Sequence, residues 1–299
     1  MEIIKDIIKE KTVVALGNFD GLHMAHTEII TRTCAYSKKH GLLSCVLLFK
    51  THTNTITAST DTKLLTDERE KLHILQNMGV DLVYIQDFDS DFMHISPKEF
   101  VVFLKDKLNA CAVSVGYDYR FGYKAEGDAD MLMELSKKYG IDVLVCNEIK
   151  CGNDTVKSTK IRELLEDGKI EYANAMLGRN YFVMGEVVKG FQNGRKLGIP
   201  TANIKYDSCK LLPKTGVYKG ITTVDGTAYI SMVNIGNNPT FGADKITIES
   251  HILDFDGDIY GKTIKCEFIK RIRDEKKFGS IDELKNQLKK DKLTVKERS

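Results

Sequence analysis

The sequence predicts two domains of different class, a parallel α/β domain followed by an antiparallel β domain with a covering helix. Three observations carry this. Apolar runs alternate with amphipathic stretches through the first half of the chain. After Arg179, short strand-like runs follow one another with turn residues between them. The 299 residues also exceed the roughly 100–200 typical of one domain.

In chain order, VVALG (13–17), LLSCVLLF (42–49), VDLVYIQDF (80–88), CAVSVG (111–116) and IDVLVCNEI (141–149) are mainly apolar, as strands covered on both faces must be. Residues 26–40, 66–79, 96–108 and 128–140 between them carry helical spacing. Thr66, Ser96 and Asp128 are the expected N-caps, and Gly41, Gly79 and Gly140 the expected stops. Ligands of such sheets bind beyond the carboxyl ends of the strands. Two helices, at 158–168 and 169–178, close a first domain spanning 1–178.

The second domain spans 179–299. Runs at 181–190, 216–224, 227–236, 246–255 and 263–273 read as strands, and Asp225-Gly226 marks a hairpin turn. Strands so closely spaced make a barrel or a sandwich. SIDELKNQLKKD supplies the amphipathic cover.

Composition narrows the function classes. Hydrophobic residues at 42% and charged residues at 29% suit a soluble protein with a sizeable core. A net charge of +2 gives no strong field for nucleic acid or an anionic membrane, so neither is an expected partner. From Arg179 onward 22 Lys and Arg face 15 Asp and Glu, against 22 and 27 before it. The basic second half suits an anionic substrate, or simply solvated surface lysines. Seven cysteines without a CxxC pair read as reduced thiols. MEIIKDIIKEK lacks a signal-peptide core, and no apolar run nears the roughly 20 residues of a membrane helix. A cytoplasmic protein is expected, and nothing in the sequence fixes its oligomeric state.

Two strings carry chemistry. GNFDGLHMAH sets Gly17 and Gly21 around Asn18-Phe19-Asp20 at the end of the first strand, where glycine lets a backbone approach phosphate and the next helix offers free N–H groups. His23 and His26, three residues apart, can stabilise charge on a transferring phosphate. They can equally be incidental, and zinc would need further ligands that no nearby cluster supplies. GEVVKGFQNGRKLGIPTANI spaces Gly190, Gly194 and Gly198 four apart, without the ending of a Walker loop. Thr201 and Asn203 alternate along an extended segment and so share a face, offering oxygens to a hard cation.

The first string resembles the GxFDGxHxGH signature of the HxGH nucleotidyltransferases, and more closely that of the bifunctional riboflavin kinase/FAD synthetase family. VGYDYRFGYKAEGD (115–128) resembles the family's GxDFxFG loop, and KSTKIRELLEDG (157–168) its SSTxIR helix. The second string matches GxxxGRxLGxPTAN without a gap. Further likeness runs through 211–220, 233–242, 248–262 and 271–291.

This resemblance implies a Rossmann-like nucleotidyltransferase domain and a β-barrel riboflavin kinase domain. ATP would be co-substrate of both, with Mg²⁺, and riboflavin, FMN and FAD the other ligands. His23 and His26 would serve adenylyl transfer, while Gly17, Phe19, Asp20, Gly21 and Asp118 contact the nucleotide. Ser158 and Thr159 can cap their helix, and Arg162 would offer its planar fork to phosphate. In the kinase domain Gly190, Gly194, Arg195 and Gly198 would form the nucleotide loop, and Thr201 and Asn203 would hold Mg²⁺. Glu249 would be the general base, though from its strand alone it reads as an exposed residue. Arg273 would lie in the flavin-contacting segment, or be salt-bridged at the surface. The acidic turn Asp254–Asp258 lacks the terminal glutamate of a calcium loop.

The chain departs from the family pattern at Ala25, at LFKTHTNTI (48–56), where His52 remains of an FDPHP-like stretch, and at Lys157. These departures leave an alternative, a riboflavin kinase with a degenerate adenylyltransferase domain.

Overall fold

The structure, a computed structural model, describes residues 1–50, 63–190, 198–237 and 246–297. Gly194, Arg195, His52 with most of the 48–56 stretch, and 238–242 lie outside the described residues. By compactness the chain divides into Met1–Lys157 and Ser158–Ser299.

In the first unit β1 (Glu2–Ile4), β2 (Thr12–Ala15), β3 (Leu43–Phe49), β4 (Leu82–Gln86), β5 (Ala110–Gly116) and β6 (Asp142–Cys146) form a parallel sheet ordered β1-β4-β3-β2-β5-β6. Helices α1 (Met24–His40), α2 (Glu68–Asn77), α3 (Ser90–Met93), α4 (Pro97–Asp106) and α5 (Ala129–Lys137) lie between the strands. A small hairpin, β7 (Lys150–Cys151) and β8 (Asp154–Thr155), follows. Val14, Leu16, Leu47, Val113 and Val115 share one core with Phe100, Leu104 and Leu132. Their strand neighbours Val13, Ala15 and Val46 are equally buried. Both faces are covered, which is why the runs are apolar almost throughout.

Ser96 and Asp128 cap their helices as expected, and Gly41, Gly79 and Gly140 adopt φ of 66°, 76° and 66°. Thr66 does not cap α2. Asp67 does, accepting from the Glu70 amide at 2.8 Å while Glu70 accepts from the Asp67 amide at 3.1 Å. A reciprocal capping box satisfies two orphan donors where a lone threonine satisfies one. Strand β1 was not foreseen, being three residues long and set among charges.

The strand order creates the binding geometry. From β2 the chain builds outward through β3 to β4, then crosses back to place β5 on the other side of β2. The connections after β2 and β5 therefore diverge, and a crevice opens between the two carboxyl ends.

In the second unit α6 (Ser158–Glu166) and α7 (Ile170–Leu177) precede β9 (Tyr181–Val188), β10 (Ala202–Lys205), β11 (Gly216–Val224), β12 (Thr227–Asn237), β13 (Ile246–Ile252) and β14 (Thr263–Arg273). These strands close an antiparallel barrel ordered β10-β13-β12-β11-β14-β9, and β9 pairs back to β10. Asp225 and Gly226, both left-handed at φ of 47° and 81°, turn β11 into β12.

Within the barrel wall, Thr222, Ser231 and Ser250 are fully buried and hydrogen-bond to one another at 2.8–2.9 Å. Ser250 thus faces inward, so Glu249 and His251 on either side of it face outward. Helix α8 (Ile281–Lys296) packs near that outer surface, where Val217, Met232, Leu253 and Val295 form a core with Ile199 and Leu288.

Candidate active sites

The first candidate site lies at the crevice of the parallel sheet. Beyond β2 the Leu16 amide bonds the Ser114 carbonyl at 3.0 Å, which keeps β2 and β5 together to their ends. The chain then turns tightly, with φ of 46° at Phe19, 81° at Gly21 and 42° at Leu22. Phe19 and Leu22 are fully buried and anchor the loop. At Gly21 a Cβ would lie 2.8 Å from Leu65 Cδ1, so both backbone and space demand glycine. The Asp20 carboxylate, 3% exposed, acts inward: it accepts from the Leu65 amide at 2.9 Å and the Thr66 amide at 3.2 Å. Thr66 Oγ1 in turn accepts from the Gly21 amide at 3.0 Å. Leu65-Thr66 is therefore a brace under the loop, a role the motif does not announce.

His23 is the N-cap of α1, and its side chain accepts from the His26 amide, Nδ1 to N 3.4 Å. An accepting Nδ1 has no proton, so Nε2 of the neutral ring is the donor. The His23 and His26 rings stack with centroids 3.7 Å apart at 16°, and Phe19 meets His26 edge-on at 5.3 Å. The first turn of α1 contains no acidic residue, which favours an anion at its positive end. Ala25 sits within this first turn and has no positive φ, so the backbone there does not require glycine.

Asp118 follows β5, one strand over, and is exposed. Its carboxylate lies 3.9 Å from Lys157, the residue at which the helix motif departs from its family. Both groups are more than half exposed, so this pair contributes little. The rest of the loop is held by reciprocal bonds between Phe121 and Gly127 at 3.1 and 2.9 Å. A Cβ on Gly127 would lie 2.6 Å from the Phe121 ring. Ser158, Thr159 and Arg162 belong by their contacts to the second unit. They lie in the first turns of α6, where Ile161, Leu164 and Leu165 form the buried face and Arg162 stands off it.

The second candidate site is a cavity of about 280 Å³ on the outer face of the barrel. Ile199, Val217, Met232, Phe278, Leu284 and Leu288 wall it, and Thr201, Asn234, Glu249 and His251 supply a polar side. Glu249 is paired across the sheet with Asn203 on one flank and Asn234 on the other. Thr201 Oγ1 donates to Glu249 Oε2 at 3.2 Å. Two residues distant by 48 positions in sequence thus meet in one site. Gly190 passes so close to Asn203 that a Cβ would lie 2.3 Å from its amide nitrogen. Gly198, with φ of 74°, makes the turn into Ile199-Pro200-Thr201. Arg273 lines the cavity but directs its guanidinium to Asp291, at 3.0 Å from Nε and 2.8 Å from Nη2. Asp291 is 2% exposed and also accepts from Gln287 at 2.8 Å. Asn234 and His251 were not singled out from sequence, and Thr66 was expected only as a helix cap; for His251 the available signal was its i+2 spacing from Glu249 on an alternating strand.

Family models match both parts of the chain: FAD synthetase over residues 5–160 and riboflavin kinase over 177–298. The bifunctional riboflavin kinase/FMN adenylyltransferase of Bacillus subtilis (strain 168) is 33% identical over 295 residues, 96% of this chain and 93% of the relative. The chain belongs to the bifunctional riboflavin kinase/FMN adenylyltransferase family. The family's representative in Escherichia coli (strain K12) is 34% identical, with 97% and 93% of the two chains covered. A solved structure described as a macrolide-efflux protein from Streptococcus pneumoniae shares this fold throughout, with a TM-score of 0.88, 30% identity and coverage of 100% and 99%. Among the described residues no helix is long and apolar enough to cross a membrane. The histidine loop falls within the FAD synthetase match, and the Thr201–Glu249 cavity within the riboflavin kinase match.

Proposed function

We propose that the chain makes FAD in two ATP-dependent steps, one in each domain, with the functional boundary at 178/179. In the barrel, the ribityl 5′-hydroxyl of riboflavin attacks the γ-phosphorus of ATP, its proton passes to Glu249, and ADP leaves with FMN formed. In the N-terminal domain, the phosphate of FMN attacks the α-phosphorus of a second ATP, and pyrophosphate leaves with FAD formed. The observation that carries this reading is the Thr201–Glu249 contact at 3.2 Å inside a cavity with apolar walls and one polar side. A carboxylate held at the polar side of an apolar pocket suits the proton acceptor of a hydroxyl on an amphipathic substrate.

The oxygens of Thr201 and Asn203 suit Mg²⁺, which takes one or two protein ligands and completes its shell from phosphates and water. When bound it would neutralise phosphate charge. Gly190, and with it the proposed Gly194, Arg195 and Gly198, would line the phosphate chain in this domain. Arg273, fixed by Asp291, would present its cavity-lining edge to the flavin.

In the N-terminal domain His23 and His26 would donate to the phosphates of ATP, with Gly17, Gly21 and the first amides of α1 approaching closely. Phe19 and Asp20 anchor this loop and would contact the nucleotide through it. Asp118 would contact the nucleotide from the end of β5, and Ser158, Thr159 and Arg162 would bind phosphate from α6. No covalent intermediate is required, because positioning and charge stabilisation suffice. The kinase-only alternative has less support, since the FAD synthetase match spans residues 5–160 and relatives aligned over more than nine-tenths of the chain are named as bifunctional. The proposed location is the cytoplasm.

Purified protein given FMN, ATP and Mg²⁺ should form FAD and pyrophosphate in equal amounts. FMN production from riboflavin without any FAD from supplied FMN would restore the kinase-only reading.

A further inference from the structure

Glu249 has a neighbour in the same cavity that the two steps above do not use. His251 lies two residues along β13 on the same outward face, about 7 Å further on. Its side chain is 95% buried, with a relative exposure of 5%, and lines the cavity beside Thr201, Asn234 and Glu249. Nδ1 stands 2.8 Å from the carbonyl oxygen of Pro200. A carbonyl only accepts, so Nδ1 holds the ring's proton and Nε2 bears a lone pair. Nε2 is buried and has no hydrogen-bond partner among the described residues. Burial also pushes the pKa of this imidazole down, which keeps the neutral, accepting form dominant near neutral pH.

An acceptor buried without a donor is costly, and such a group in a substrate cavity marks where a donor belongs. The Thr201 hydroxyl is directed to Glu249 and the Arg273 guanidinium to Asp291, so neither serves His251. A ligand phosphate or carbonyl at this point would set lone pair against lone pair. A hydroxyl fits.

We propose that His251 determines specificity for the polyol chain of the kinase substrate, its Nε2 accepting a hydrogen bond from a secondary hydroxyl near the one that faces Glu249. This rests on the kinase reading of the cavity. Through Nδ1–H the same ring holds Pro200, and with it the start of Thr201, so one side chain joins the substrate's hydroxyl chain to the Thr201–Glu249 pair.

The test couples substrate and protein changes in the full-length chain. FMN-type product formation is measured with riboflavin and with analogues each lacking one secondary ribityl hydroxyl, for wild type, His251→Asn and His251→Gln. Asparagine can still donate to Pro200 but places nothing where Nε2 lies, whereas glutamine reaches that point. Wild type should lose about tenfold in kcat/KM on removal of one particular secondary hydroxyl, the effect of one hydrogen bond. In His251→Asn that particular loss should shrink to less than about twofold while losses for the other analogues persist, and His251→Gln should restore part of it. Unchanged losses in His251→Asn, or a wild type indifferent to every secondary hydroxyl, would overturn the proposal. A wild type indifferent to every secondary hydroxyl overturns the proposal even if a variant fails to fold. A wild type that forms no product from riboflavin itself would instead remove the kinase reading, and this proposal with it.

Discussion

His23 and His26 stack face to face at 3.7 Å, and the first of them caps the helix that carries the second. The amide of His26 therefore fixes which nitrogen of His23 donates. In His26→Ala that amide and the cap survive, so the fold should be retained. FAD formation should fall by about 10²- to 10³-fold, as when one preorganised donor is lost. FMN formation should be unaffected. Separate assays of the two products check this, and equal loss of both would argue against separate sites.

Glu249→Gln keeps an oxygen able to accept from Thr201 but cannot take a proton from a hydroxyl. FMN formation should fall by about 10²- to 10⁴-fold, with conversion of supplied FMN to FAD unchanged. A variant that still phosphorylates riboflavin at the wild-type rate would remove Glu249 from the chemistry.

Positions 21 and 25 should differ in their effect on FAD formation. Gly21→Ala must hold φ near 81° and press its Cβ against Leu65. It should destabilise the N-terminal domain by about 1–3 kcal/mol and depress FAD formation. Ala25→Gly lies in a helical turn and should cost about 1 kcal/mol of stability while leaving FAD formation intact. Thermal unfolding with an FAD assay measures both. A large gain of FAD formation in Ala25→Gly would mean that the extra methyl does obstruct the phosphates.

The order and class of elements were legible because burial on both faces writes itself as long apolar runs, and barrel strands as short alternating ones. What escaped notice depended on contacts distant in sequence. Nothing near Thr66 reveals that its hydroxyl meets Gly21, 45 residues away, or that a stronger capping box begins at Asp67. Strand β1 escaped because three residues cannot display a period. For the site, spacing brought out the two histidines, Thr201 and Asn203, while the role expected of Glu249 came from family likeness. His251 was hidden because a histidine on a strand is ordinary until its partners are known. The Asp20 carboxylate, expected to contact the nucleotide, also accepts from the Leu65 and Thr66 amides, contacts too distant in sequence for spacing to display.

Asp291 anchors Arg273 from a nearly fully buried position on α8. Asp291→Ala leaves the guanidinium without its carboxylate and should destabilise the kinase domain by about 3 kcal/mol, the lower end for a broken buried pair because Arg273 retains some exposure. The KM for riboflavin should rise more than kcat falls, since the wall of the cavity loosens while Glu249 stays in place. Unfolding curves and steady-state kinetics of FMN formation check the two parts, and an unaltered KM would separate Arg273 from the flavin.

The measurement that bears most directly on two distinct phosphorus centres is a label-tracing experiment with riboflavin, Mg²⁺ and ATP labelled at either the α- or the γ-phosphorus. Label from the γ position should enter FMN first and then FAD, whereas label from the α position should enter FAD alone. An α label that never reaches a flavin, or a γ label absent from FMN, would contradict the account.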